Sequence, residues 1–219
     1  MFTGIAARYD LMNRLMTAGQ DVRWRKWVIQ RAQLQRGQRL LDLGAGTGDL
    51  ARAARAQCPS CFVLAADFTY EMMRVGKVKH GEPRLWCASD ALALPFADEA
   101  FDALVSGFLL RNVVGLDAAL REQLRVLKRG GRWVALDTTR PQKNFLTPAI
   151  EFHLRTIIPT LGKLITGHAD AYTYLPTTTA NFLSAPELAA RVTQAGFAHV
   201  QFQRVMFGTI AIHWGIKVA

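Results

Sequence analysis

Three aspartates occupy comparable places in this chain. Asp42 lies in the apolar run 39–43, Asp67 directly follows the run 62–66, and Asp90 comes just after the run 84–88. In "RLLDLGAGTGDLARAA" the first acid is followed by Gly44, Gly46 and Gly48 at every second position. Glycine admits a close backbone approach that side chains forbid. The spacing is G-x-G-x-G, not the G-x-G-x-x-G that seats a pyrophosphate on a helix N-terminus. An acid two residues before the first glycine repels a pyrophosphate and suits an ammonium group. An acid at the end of the next strand accepts hydrogen bonds from ribose hydroxyls. An acid after the third, in Asp90-Ala91, accepts from an adenine amino group. An amine, a ribose and an adenine without obligatory phosphate describe S-adenosylmethionine, the cofactor these residues predict. The glycines are expected to clear space for its methionine part.

Such acids converge only if their runs are neighbouring strands. Arg39–Leu43, Phe62–Ala66, Arg84–Ala88, Phe101–Ser106 and Arg132–Asp137 read as strands. Unbroken apolar runs are typical of strands buried on both faces. Helices are expected at Asp49–Gln57, from Thr69 to Gly76 or beyond, and after Asp117 as N-cap. The last carries Leu120, Leu124 and Leu127 on one face and ends at Gly130-Gly131. Alternating strands and helices predict an α/β fold with a doubly wound, mostly parallel sheet. Ser184 with Glu187 forms a capping box for a helix ending near Gly196. His199–Val205 and Thr209–Val218 then read as an antiparallel hairpin turning at Phe207-Gly208, which brings the sheet to seven strands. Residues 1–36 form a helical preface, expected to act as a lid, and residues 138–183 an insertion at the acceptor site.

The length of 219 residues fits a single domain, 1–219. No apolar run reaches membrane-spanning length. The start of the chain, MFTGIAARYD, has no signal-peptide core, so a cytoplasmic location is expected. The net charge of +10 points to an anionic partner, a membrane surface or a nucleic acid, unless it serves solubility alone. No aromatic-basic recognition module accompanies it, so no nucleic acid is expected. Cys58 and Cys61 form a C-P-S-C motif. It lies between helix and strand rather than opening a helix, and Cys87 does not complete four zinc ligands, so neither a redox role nor a metal site is expected.

The order of these features resembles the class I methyltransferases, and more closely the quinone-biosynthesis C-methyltransferases of the UbiE/MenG family. The resemblance runs through "MFTGIAARYDLMNRLMTAGQDVRWRK" at 1–26, "DLGAGTGDLA" at 42–51 and "DALALPFADEAFDALVSGFLLRNV" at 90–113. It continues through "LREQLRVLKRGGR" at 120–132 and "YTYLPTTTANFLSAPELAARVTQAGF" at 172–197. The chain departs from the family pattern at Leu109, where a glycine is usual, at Arg129, where a proline is usual, and at "DTTRP", 137–141. The resemblance implies transfer of a methyl group to the ring of a prenylated quinol, demethylmenaquinol in preference to a ubiquinone precursor. It also leaves room for another lipophilic acceptor. The cofactor set is then Asp42, Gly44, Ala45, Gly46, Thr47, Asp67, Phe68, Met72, Asp90, Ala91, Ser106 and Gly107.

Methylation of carbon requires an electron-rich ring, so the reduced quinol, not the quinone, is the expected acceptor. Loss of a phenolic proton raises the ring's electron density. Arg111 is expected to stabilise the developing phenolate, Asn112 to orient it, and Tyr9 to reach the site from the preface. A guanidinium stays protonated, so a nearby water is a better base than Arg111, with His153 and His168 as further candidates. Tyr172 and Tyr174 are candidates for the acceptor channel. Arg8, Arg14, Arg23, Arg25, Lys26 and Arg31, interleaved with Trp24 and Trp27, read either as a peripheral membrane contact or as a solvated face over packed tryptophans. A homodimer is possible, and nothing in the sequence decides the oligomeric state.

Overall fold

The structure, a computed structural model, describes residues 14–80, 85–140, 156 and 182–218. In chain order it contains α1 (Asp21–Ala32), β1 (Arg39–Leu43), α2 (Asp49–Gln57), β2 (Phe62–Asp67), α3 (Tyr70–His80), β3 (Trp86–Ala88) and β4 (Phe101–Gly107). A 3-10 turn (Leu110–Asn112), α4 (Leu116–Val126), β5 (Leu127–Thr138), α5 (Ala185–Gln194), β6 (Phe197–Val205) and β7 (Ile210–Lys217) follow. Tyr9, His153, His168, Tyr172, Tyr174 and most of the expected insertion lie outside the described residues.

The strands form one seven-stranded sheet in the order β3-β2-β1-β4-β5-β7-β6. The first five run parallel, and β7 is antiparallel to both β5 and β6. The chain order reverses direction at β1, which pairs β2 on one side and β4 on the other. In an open parallel sheet that switch point opens a crevice at the strands' C-terminal ends.

Both faces of the sheet are covered, as the unbroken apolar runs required. On one face Trp24, Val28 and Ile29 of α1 and Leu50, Ala51 and Ala54 of α2 pack over Leu40, Ala65, Val105 and Val134. On the other, Ala119, Leu120 and Val126 of α4 and Leu188 and Val192 of α5 pack over Leu41, Leu104, Trp133 and Ala135. Spacings of three to four residues in α2 and of six to seven in α4, one and two helical turns, put these side chains on one helical face. Trp24, 1 % exposed, belongs to the core and not to a surface patch.

Three local expectations change. Asp117 is not the cap of α4: Gly115, at φ 90°, precedes the helix, and Asp117 sits in the first turn, where Arg191 donates to it at 2.5 Å. Leu127 opens β5 instead of closing the helix. Gly130-Gly131 lies inside β5, at an irregularity where the register against β4 jumps between Phe101↔Leu127 and Ala103↔Arg132. A Cβ on Gly131 would come within 2.6 Å of the Lys128 carbonyl, so the glycine serves a close backbone approach. The capping box of α5 holds, with the Glu187 carboxylate accepting the Ser184 N–H at 2.7 Å. Cys58 and Cys61 are joined as a disulfide, buried where β2 begins, at the sheet edge opposite the crevice. Among the described residues no group of three His, Cys, Asp or Glu is arranged to hold a metal ion.

Candidate active site

A cavity of about 380 Å³ opens at the switch point, within the range of small-molecule sites. Its floor is the glycine turn between β1 and α2. Gly44 and Ala45 donate backbone N–H groups to the Ala66 carbonyl at 2.8 and 3.0 Å, which ties the turn to the end of β2. Gly46 donates to Asp67 Oδ2 at 2.7 Å, and Thr69 N–H donates to Oδ1 of the same carboxylate at 2.7 Å. Asp67 thus links the glycine turn to the start of α3. The glycines themselves do something other than expected. A Cβ on Gly44 would meet the Leu109 side chain at 2.9 Å, and one on Gly48 would meet the Trp86 ring at 3.0 Å. Both residues have positive φ, 70° and 84°. Left-handed backbone and close protein packing, not open space, exclude side chains at these two positions.

Of the residues expected to bind the cofactor, Asp42, Gly44, Ala45, Gly46, Thr47, Asp67, Phe68, Met72, Asp90, Ala91 and Gly107 line this one cavity. Ser106 does not. It is 1 % exposed, and its Oγ is buried without a hydrogen-bond partner, away from the cavity wall. Strand alternation decides this, since neighbouring residues of β4 face opposite ways and Gly107 is the one that reaches the wall.

The cavity holds polar atoms suited to a ligand. Asp42 Oδ2 accepts the Ala51 N–H at 2.8 Å, while Oδ1 is buried and unpartnered. Burial pushes the Asp42 carboxyl up to about 7; the Ala51 hydrogen bond opposes this, and the negative charges of Asp67 and Asp49 add to it. Burial also raises Asp67, against the stabilising N–H groups of Thr69 and Gly46. Ser89 Oγ, in the same wall, is buried without a partner. Buried polar atoms are normally paired, so orphans lining a cavity are the expected mark of an absent ligand. This lining, with the buried acids Asp42 and Asp67 and the unpartnered Asp42 Oδ1 and Ser89 Oγ, fits a cationic nucleoside such as S-adenosylmethionine.

Sequence reasoning missed three parts of the wall. Arg25 reads from the sequence as exposed, on a membrane contact or on a solvated face, yet its side chain is only 12 % exposed and lines the cavity. It pairs with Asp21 and, at 3.1 Å, with Asp49 in the first turn of α2. Its spacing of four from Asp21 was the available signal for that pairing. Ser89 lay unremarked beside Asp90. Leu92, Leu109, Val113 and Val114 supply an apolar side that spacing alone does not reveal.

On that apolar side Asn112 lines the cavity, with Nδ2 donating to the Phe108 carbonyl at 3.0 Å. Arg111 is placed differently from expectation. Its guanidinium is 4 % exposed, turned away from this wall, and donates to Asp137 Oδ1 at 2.8 Å. In a 3-10 turn consecutive side chains diverge by about a third of a turn. Asn112 and Arg111 therefore do not face one cavity.

Acids at the ends of neighbouring parallel strands, gathered round a glycine turn at the switch point, define a class I, S-adenosylmethionine-dependent methyltransferase. The chain belongs to the ubiE/COQ5 methyltransferase family, whose model matches residues 1–217. It is 45 % identical over 218 residues to a protein of Desulfotalea psychrophila named ubiquinone/menaquinone biosynthesis C-methyltransferase UbiE, covering 99 % of this chain and 89 % of that one. It is 40 % identical to the demethylmenaquinone methyltransferase of Thermus thermophilus, covering 98 % and 99 %. Among solved structures, a methyltransferase in complex with the Haloferax volcanii Trm112 activator matches with a TM-score of 0.71 at 17 % identity, covering 100 % of this chain and 98 % of that one. A Haemonchus contortus phosphoethanolamine N-methyltransferase 2 in complex with S-adenosyl-L-methionine matches at 0.65 and 14 %, covering 90 % and 53 %. At such identities the solved structures establish the fold.

Proposed function

We propose that this enzyme methylates a ring carbon of a reduced, demethylated prenylated quinol, with demethylmenaquinol as the acceptor and menaquinol as the product. The observation that carries the reading is the two-sided cavity within a full-length family match. Its acidic side, Asp42, Asp67 and Asp90, suits a cationic nucleoside cofactor. Its opposite side, Leu92, Leu109, Val113 and Val114, suits an apolar ring. When bound, S-adenosylmethionine supplies an electrophilic methyl group. The chain's own contribution is then positioning, worth several powers of ten when reacting atoms are held about 3–3.5 Å apart. Asp42 and Arg25 hold the cofactor's amino-acid end, and the fixed amide of Asn112 orients the quinol oxygen. The relatives carry both menaquinone and ubiquinone names, so a benzoquinol precursor is the second reading.

A prenylated acceptor lies in a bilayer, and the crevice edge of the sheet carries exposed apolar side chains suited to one. Phe68, Tyr70, Val114 and Phe207 are 79 %, 64 %, 88 % and 70 % exposed. They lie beyond the ends of β2 and β4 and at the β6–β7 turn, all on the crevice edge of the sheet. Their exposure supports a peripheral membrane contact at the inner face, with basic side chains such as Arg23 and Lys26 on the anionic headgroups. No helix of the described residues is long and apolar enough to cross a membrane. The test is mass spectrometry after incubation with S-adenosylmethionine and detergent-solubilised rings, naphthoquinol and benzoquinol, reduced and oxidised. A gain of about 14 Da on a reduced naphthoquinol alone is the expected result; a gain on the oxidised ring, or on none while cofactor binds, overturns the reading.

A further inference from the structure

Arg111 is held from behind the cavity wall. One carboxylate grips it twice: Asp137 Oδ1 accepts its Nη1–H at 2.8 Å, and Oδ2 accepts its backbone N–H at 3.3 Å. Oδ1 also takes the Thr138 N–H at 2.7 Å. The two side chains are 4 % and 1 % exposed. The guanidinium lies over the Phe108 ring, 5.0 Å from its centroid. Phe108 has φ 60°, a conformation bulky residues rarely adopt, and its N–H donates to the Leu136 carbonyl at 2.7 Å. The segment from Phe108 to Val113 is therefore a tight turn with two sides. Phe108, Leu109, Asn112 and Val113 face the cavity. Leu110, 1 % exposed, sits in the core, and Arg111 sits on Asp137.

We infer that Asp137 is a positioning residue. Through Arg111 it sets the place of Leu109 and Asn112 against the acceptor ring, an inference that rests on the methyl-transfer reading above. The contacts that hold the turn in register lie on its hidden side, so loosening them moves the visible side. A buried carboxylate with an arginine and two backbone donors is well satisfied, and such a pair is demanding of geometry. Arg111 then acts without touching the quinol, as the clamp's other half. The inference also accounts for a guanidinium next to a candidate catalytic amide that nonetheless faces away from it.

The test compares the full-length wild type with Asp137→Asn by three readouts: hydrogen exchange of Phe108–Val113, S-adenosylmethionine binding by calorimetry, and turnover of the reduced quinol. Exchange faster by tenfold or more in that turn and unchanged elsewhere is expected. The cofactor Kd should stay within threefold while kcat for the quinol falls at least tenfold. Unchanged exchange in the turn overturns the proposal, as does faster exchange with full turnover. Should Asp137→Asn fail to fold, Arg111→Lys decides by the same readouts, because it keeps the charge and loses the Nη1 bond to Asp137 Oδ1 and the planar group over Phe108. Turnover lost with exchange unchanged in Arg111→Lys would place Arg111 on the acceptor itself and refute a positioning role. If the wild type methylates no reduced ring, the proposed reaction fails separately, and unchanged exchange alone still overturns the clamp.

Discussion

Replacing Asp42 by asparagine should move stability and cofactor affinity in opposite directions. Asp42 is fully buried, its Oδ2 engaged by the Ala51 N–H and its Oδ1 unpartnered. Its pKa rises on folding from 3.8 to about 7, chiefly through burial. The sign follows from proton counting. Between those two values the folded protein holds a proton that the unfolded chain has lost, so stability falls as pH rises through that window and levels off above pH 7. The full penalty of carrying the ionised group, above pH 7, is on the order of 4 kcal/mol. An amide keeps the acceptor for Ala51 and is never ionised, so Asp42→Asn should match the wild type only below the unfolded value of 3.8, and exceed its melting temperature modestly at pH 5 and most at pH 8. Cofactor binding should respond the other way. A charge-assisted bond to an ammonium group contributes roughly 1.5–3 kcal/mol, or about 10- to 150-fold in Kd. Below pH 7 the wild type must release a proton to bind, so its Kd should worsen by up to about tenfold per pH unit while that of Asp42→Asn stays flat. Thermal melts and calorimetry from pH 5 to 8.5 measure both. Equal affinity of the two proteins at pH 8 would refute the ammonium assignment, and a lower melting temperature for the variant would refute the account of its burial.

Asp67→Ala removes the acceptor shared by Gly46 and Thr69 and the proposed ribose partner. Its cofactor Kd should rise well above tenfold by calorimetry, with the far-ultraviolet circular dichroism unchanged. Gly44→Ala forces an alanine to φ 70° and a Cβ to 2.9 Å from Leu109. It should cost about 1–2 kcal/mol for the backbone alone in urea unfolding, and adding Leu109→Ala should recover only the contact part. Trp24→Ala should cost about 3–5 kcal/mol in the same assay, since Trp24 is core. Exposed Lys26→Ala should leave stability unchanged within about 0.5 kcal/mol.

Strand runs and acids were legible because burial on both faces makes a parallel strand an apolar word, and because a ligand's charges must be answered at strand ends. On that ground Asp42, Asp67 and Asp90 were read together, and the fold does bring them to one cavity wall. The sheet's closing hairpin was legible in the alternation of Ile210, Ile212, Trp214 and Ile216. Orientation was not. Whether Ser106 or Gly107, and Arg111 or Asn112, reaches the cavity depends on the phase of a strand end and a 3-10 turn, which a slip of one residue reverses. The pairing of Arg111 with Asp137 spans two elements, and composition carries no trace of it. Gly130-Gly131 misled for a physical reason: the same dipeptide that stops a helix also lets a strand backbone come close to its neighbour. Arg25 misled because a run of arginines reads as surface until a partner such as Asp49 is placed beside it.

The charge of the whole and the charge of the site have opposite signs, and this separates two electrostatic tasks. The chain carries +10, while Asp42, Asp49, Asp67 and Asp90 line the cavity with Arg25 as the one cation of its wall among the described residues. At neutral pH S-adenosylmethionine is itself a net cation, so the global charge hinders its approach and only the local acids attract it. On the proposed reading the basic surface answers a different, anionic partner, the headgroups of a membrane. Salt distinguishes the two tasks, because the screening length is about 10 Å at 0.1 M and buried contacts lose far less than exposed ones. Between 0.05 and 0.5 M salt, attachment to vesicles containing anionic lipid should fall steeply, and attachment to neutral vesicles should be weak throughout. Cofactor affinity by calorimetry should change less than threefold over the same range, because its contacts are enclosed and the screened term is the global repulsion. Loss of cofactor affinity in parallel with loss of vesicle attachment would mean that exposed charge, not the enclosed acids, recruits the cofactor, and vesicle attachment that ignores salt would take away the membrane role of the basic surface.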